Sequence, residues 1–156
     1  MQTFLQKIQP LSPKSRDHGE SAMKIPPHPD SLQFLLSQAA EARRQAYAPY
    51  SEFFVGAALL CSDGSIHRGC NVENASYGLT QCAERVAIAN AITAGQRHFV
   101  ALALSLTKAG TPCGACLQVM QEFAPQLRII LGDETGKWVR ETSLPDLLPQ
   151  PFGFVK

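Results

Sequence analysis

A chain of 156 residues is long enough for one domain with a buried core, and its 45% hydrophobic and 17% charged content is that of an ordinary globular protein. Its net charge is +1 and its 14 basic residues are scattered, which argues against a nucleic-acid partner, since such surfaces mass Lys and Arg against phosphates. No apolar run approaches the roughly 20 residues that span a bilayer, so no membrane partner is expected.

Residues 1–24 carry no long apolar stretch of the kind a secretory signal needs. Phe4, Leu5, Ile8 and Leu11 make a short apolar face, but Pro10, Pro13 and the polar residues around them read as flexible. Residues 1–24 are therefore expected to be a flexible extension, and residues 25–156 a single domain. Pro26, Pro27 and Pro29 close the extension, with Asp30 or Ser31 available as a helix cap. Leu32, Leu35, Leu36, Ala39, Ala40 and Arg43 recur at helical spacing, which predicts an amphipathic helix over 31–46, stopping before Pro49.

Phe53 to Cys61 is almost continuously apolar and reads as a strand; Asp63-Gly64 turns the chain, and Ser65 to Val72 returns as a second strand of a hairpin. Asn74 to Gly78 is a loop. A helix is predicted over 81–94, with Gly95 as its stop. Val100 to Leu106 is a third strand. Pro112 then suits the first turn of a helix that runs through Cys116 and Met120 and ends before Pro125. Arg128 to Leu131 and Lys137 to Glu141 complete the pattern as a fourth and a weaker fifth strand. Strands alternating with helices after an opening hairpin predict an α/β layer structure with a mixed sheet.

Two short stretches carry the chemistry. Cys82-Ala83-Glu84-Arg85 and Pro112-Cys113-Gly114-Ala115-Cys116 supply three thiols and a carboxylate. A ligand residue, a glutamate two positions on, then Pro-Cys-x-x-Cys resembles the pattern of zinc deaminases acting on nucleobases. Three protein ligands leave a fourth zinc position for water, which distinguishes a catalytic site from a closed structural one. Cys113 and Cys116 are three apart at a helix start and project from one face. The positive ends of two helices favour thiolate there. Three thiolates around Zn²⁺ sum to −1, and Arg85 is placed in sequence to offset that charge. One difficulty is that two residues on a regular helix are separated by about 200°, so Cys82 and Glu84 do not naturally face one point.

Other readings compete. A Cys-x-x-Cys at a helix start also fits a dithiol redox motif, and His67 or His98 could close a structural zinc shell. Cys61 and Cys70 read as small core residues. Five cysteines, an odd number with three assigned to metal, favour a reducing, cytoplasmic setting over a disulfide framework.

From about Ala46 to Phe152 the chain resembles the small cytidine deaminase family. The resemblance rests on Ala48-Pro49-Tyr50-Ser51, Phe53, Val55-Gly56-Ala57-Ala58, the run Gly69 to Gly78, both cysteine motifs, and Leu147-Leu148-Pro149 with Phe152. It implies a three-layer α/β/α sandwich with a mixed five-stranded sheet, and hydrolytic deamination of cytidine and deoxycytidine in pyrimidine salvage. It further implies one zinc per subunit on Cys82, Cys113 and Cys116, with Glu84 as general acid/base. Asn71 and Glu73 match the positions that hold the ribose hydroxyls, and Phe53 the ring beside the base. A homotetramer is implied too, with Tyr77 and Phe152 around a neighbour's site. Phe54 and Leu117 depart from the common Pro and Arg at their positions. Within the fold, a deaminase of another aminopyrimidine nucleoside, such as the blasticidin S type, is the nearest rival; from another class, a non-catalytic zinc or redox module.

Overall fold

Alternation along three strands decides the layering. In the computed structural model, which describes residues 29–153, β1 (Val55–Cys61) sends Ala57, Leu59 and Cys61 into one core and Ala58 into another. β3 (Phe99–Leu106) divides in the same way, with Leu102, Leu104 and Leu106 on one side and Ala101 and Ala103 on the other. In β4 (Arg128–Gly132), Ile129 and Leu131 face away from Ile130. Strands buried on both faces read as unbroken apolar runs, which is why period-two alternation is absent from them.

The sheet runs β2-β1-β3-β4-β5, with β2 (Ile66–Cys70) and β5 (Trp138–Ser143) at its edges. β3 and β4 are parallel and the other pairs antiparallel, so the sheet is mixed. One face is covered by α1 (Pro29–Arg43) through Leu35, Leu36 and Ala39. On the opposite face lie α2 (Ala83–Thr93), through Ala83, Ala87, Ile88 and Ala91, and α3 (Gly114–Phe123), through Cys116, Leu117 and Met120. The expected α/β sandwich with a mixed five-stranded sheet is the fold of the described residues.

The expected extension over 1–24 lies outside the described residues. The chain is already helical at Pro29, so Asp30 and Ser31 lie within α1 instead of capping it. α1 also ends at Arg43, short of the predicted 46, because Tyr47 is drawn into extended pairing. Its N–H donates to Asn71 O at 3.0 Å and its carbonyl accepts from Glu73 N at 2.8 Å. A short α4 (Leu144–Leu147) was not anticipated. Ser143 and Asp146 form a capping box around it, a signal present in the sequence as Ser-x-x-Asp.

Two glycines let helices rest directly on strands. A Cβ at Gly56 would lie 2.0 Å from Ala39 O and 2.4 Å from Arg43 N, both backbone atoms of α1. A Cβ at Gly69 would meet Ala83 O and Ala87 N of α2, each at 2.4 Å. Gly56→Ala must therefore push α1 off the sheet. Overpacking costs about 1–3 kcal/mol when side chains can yield. Here only backbone can yield, so a loss of about 3 kcal/mol is expected in urea unfolding; an unchanged midpoint would refute the close approach.

Candidate active site

The two cysteine motifs open two helices. Cys82 is the N-cap of α2, with φ −74° and ψ 151°, and Cys113 is the N-cap of α3, with φ −72° and ψ 160°. Cys116 sits three residues into α3 and is fully buried. N-cap and third helical position are neighbours, as every capping box demonstrates, and here that adjacency brings Cys113 Sγ within 3.5 Å of Cys116 Sγ. The α2 start adds Cys82 Sγ at 4.0 Å from Cys113 Sγ, and all three sulfurs lie within 4.8 Å of one another.

These positions fit zinc. A tetrahedral ion with Zn–S bonds of about 2.3 Å holds its sulfurs about 3.8 Å apart, and soft thiolates suit that metal. The group contains no histidine: among the described residues, neither His67 nor His98 joins it. All five cysteines are free, so Cys113 and Cys116 form no disulfide. Cys61 is buried in the core as expected, whereas Cys70 is only partly buried.

The cap position also settles how Cys82 and Glu84 share a site. Cys82 has extended backbone, so the helical rotation of 100° per residue does not start from it. Both side chains line one cleft of about 260 Å³. Glu84 is 5% exposed. Burial raises its carboxyl above the usual range and the charge of Cys82 adds to this, while its own backbone N–H opposes. A carboxyl shifted upward can hold and release a proton nearer neutrality.

Among the thiols, Cys82 is pushed down to about 5, first by hydrogen bonding to Cys116 and then by Arg85, with burial opposing. The same interaction, together with burial, drives the Cys116 thiol upward. Of the two thiols, Cys82 is thus the one favoured as thiolate and Cys116 the one favoured protonated. Arg85 Nη2 donates to Thr80 O at 3.0 Å and reaches Cys82 Sγ at 3.7 Å. The arginine is therefore directed at the ligand sulfur and not at solvent.

Phe53, Asn71 and Glu73 line the same cleft. The Asn71 amide donates to Phe53 O at 2.8 Å and accepts from Val55 N at 2.9 Å, which ties down the backbone on both sides of Phe54. Sequence reasoning missed this bracing role, since no local pattern announces it. Glu73 accepts from Tyr50 N at 2.9 Å, from Ser51 N at 3.3 Å and from the Ser51 hydroxyl. The hydroxyl and the Tyr50 N–H hold its carboxyl below the ordinary range, so it is ionised. Ser51 and Thr111 also line the cleft, although the sequence reading did not single them out.

Tyr77 and Phe152 do not line it. Tyr77 is 75% exposed and packs against Tyr50 at 6.0 Å between ring centroids. Phe152 is 72% exposed, its backbone held by the Gln118 amide through bonds of 2.9 and 3.0 Å. Phe54 turns to the outside, where Arg43 donates to its carbonyl at 3.0 Å and lies 5.9 Å from its ring centroid. Leu117 is buried in the core under α2 and α3.

Residues 29–132 match the family model described as the cytidine and deoxycytidylate deaminase zinc-binding region. A cytidine deaminase from Halalkalibacterium halodurans is 49% identical over 123 residues, covering 77% of this chain and 92% of that protein. One from Mycobacterium tuberculosis is 43% identical over 121 residues, covering 76% and 87%. Among solved structures, the cytidine deaminase of Burkholderia pseudomallei superposes with a TM-score of 0.72 at 51% identity, covering 76% of this chain and 97% of the other.

Proposed function

This chain belongs to the zinc-binding cytidine and deoxycytidylate deaminase family, and from that membership we infer that its cleft hydrolyses the 4-amino group of cytidine, giving uridine and ammonia. The observation that carries this reading is the meeting of three thiols at two helix starts, two of them, Cys82 and Cys113, on the wall of the cleft that the buried Glu84 also lines. Cys82, Cys113 and Cys116 are the zinc ligands. Bound there, zinc supplies a water acidic enough to ionise near neutral pH.

The chain's own residues do the rest. Glu84 accepts the proton as the water oxygen adds to C4 of the base. It delivers that proton to the ring nitrogen. It then takes the proton of the new hydroxyl and gives it to the departing amine, so that one carboxyl serves as base and acid in turn. Arg85 withdraws charge from Cys82 and so offsets the −1 of a three-thiolate site, which would otherwise blunt the metal. Phe53 packs beside the base, and Asn71 and Glu73 take the sugar hydroxyls. In support, all three line the same cleft as Cys82, Glu84 and Cys113. An ionised carboxylate is an acceptor suited to hydroxyl donors.

Deoxycytidine is a second substrate in this reading, and pyrimidine salvage the process served. The catalytic unit is a single domain over 25–156. It works as a homotetramer, in support of which Tyr47, Tyr50, Tyr77, Leu79 and Phe152 are each at least half exposed, large apolar side chains of the kind that subunit contacts cover. Tyr77 and Phe152 then complete a neighbour's site. Light scattering of the purified protein should give four chains per particle, and a monomer would refute the assembly. Free thiols at all five cysteines favour the cytoplasm. No described helix is long and apolar enough to cross a membrane.

Purified protein should release ammonia from cytidine and deoxycytidine well ahead of cytosine, a cytidine monophosphate or a single-stranded oligonucleotide. A site that binds sugar hydroxyls leaves buried polar groups unpaired when the sugar is absent. Glu73 also repels a nearby phosphate. Comparable rates on the oligonucleotide would overturn the nucleoside assignment. Reaction with none of the five would redirect the search to another aminopyrimidine.

A further inference from the structure

One hydroxyl joins the two parts of the cleft wall. Ser51 lines both the cleft and the shallower hollow beside it, which is formed with Tyr50, Glu73, Tyr77 and Thr80. Its Oγ donates to Glu73 Oε1 and accepts from Phe53 N at 3.1 Å. A serine hydroxyl has a single proton. Because Phe53 N can only donate and the Glu73 carboxylate can only accept, the direction of both bonds is fixed.

The other carboxylate oxygen takes the N–H groups of Tyr50 and Ser51. An ionised carboxylate offers about four acceptor positions, and this loop fills three. What remains is acceptor capacity on a group that can no longer swing freely. Both backbone N–H groups go to Oε2, and the hydrogen bond to Oε1 comes from Ser51 Oγ.

We propose that Ser51 is a positioning residue for sugar recognition: it fixes the Glu73 carboxylate so that its free acceptor position receives a nucleoside hydroxyl. The proposal rests on Glu73 being the sugar contact, as inferred above. Ser51 touches no reacting atom, so its removal weakens ground state and transition state alike. That raises KM and leaves kcat.

The test compares cytidine with 2′,3′-dideoxycytidine, which lacks the hydroxyls Glu73 would receive, on zinc-loaded full-length protein. Ser51→Ala should raise KM for cytidine about tenfold, the scale of one lost hydrogen bond to a charged group. It should leave kcat within about twofold and leave KM for the dideoxynucleoside unchanged. Ser51→Thr should restore the cytidine KM. Glu73→Ala should raise the cytidine KM at least as much, and adding Ser51→Ala to it should do nothing more. Equal losses on both nucleosides, or a fall in kcat alone, would overturn the proposal by making Ser51 merely structural. If Glu73→Ala raises KM and Ser51→Ala does not, the positioning role fails while the sugar contact stands. If Glu73→Ala leaves KM untouched, the sugar contact itself fails and the role of Ser51 goes with it.

Discussion

Glu84→Gln should fold, retain one zinc per chain and lose nearly all turnover. The exchange keeps the size and shape of a side chain that is 5% exposed and packed into the start of α2. It leaves all three cysteines in place. It removes only the capacity to accept and return a proton. General acid–base catalysis by one group contributes about 10²–10⁴-fold, and a carboxyl used for successive transfers in one turnover should lie at the top of that range or above it. The measurement is kcat on cytidine together with zinc content by atomic absorption. Near-native turnover by the zinc-loaded variant would remove Glu84 from the mechanism. Loss of zinc along with activity would make it a structural support of the ligand cage instead.

Much of the layering is legible before any coordinates. Val55–Cys61 and Phe99–Leu106 are apolar at nearly every position because helices cover both faces of the sheet. A run of this kind, flanked by helical patterns, already implies an α/β architecture. The ligand set is legible for a different reason. Zinc chemistry restricts residue type and spacing so tightly that two short motifs suffice. What stays hidden is whatever depends on backbone direction at an element's edge. The apparent conflict between Cys82 and Glu84 exists only if Cys82 is taken as helical; as a cap in extended conformation it presents none. Asn71 reads as a polar residue at a strand end, yet its amide braces the backbone at Phe53 and Val55, partners 18 and 16 positions away. Ser51 reads only as the last residue of the stretch Ala48-Pro49-Tyr50-Ser51. Its importance depends on Glu73, 22 positions on, arriving within reach through the pairing of Tyr47 with the segment after β2. Such contacts are products of tertiary register, and no local window contains them.

Removal of zinc with a strong chelator should abolish activity while leaving the sandwich folded, and stoichiometric zinc should restore it. The layers are held by two apolar cores built mainly from aliphatic side chains on β1, β3, β4 and the three long helices. Of the three ligands, only Cys116 is fully buried within one of them. The metal-free chain therefore keeps its core but loses the bond that joins the starts of α2 and α3. Zinc present at a thousand times its Kd adds about 4 kcal/mol to stability, so thermal unfolding of the stripped protein should begin well below that of the loaded form. Reloading carries a second signature. Zinc requires thiolates, and binding expels whatever protons the thiols still hold. Cys82, pushed down to about 5, is already ionised at pH 7.5 and has none to give, whereas Cys116, driven upward, gives its proton on binding. Uptake at that pH should release at least one proton per zinc, which a pH indicator in weak buffer reads directly. Full activity in the stripped protein would exclude a catalytic metal. Uptake with no proton released would mean that Cys116 is already ionised in the metal-free chain, and that it does not donate the hydrogen bond that draws Cys82 toward a thiolate ready for the ion.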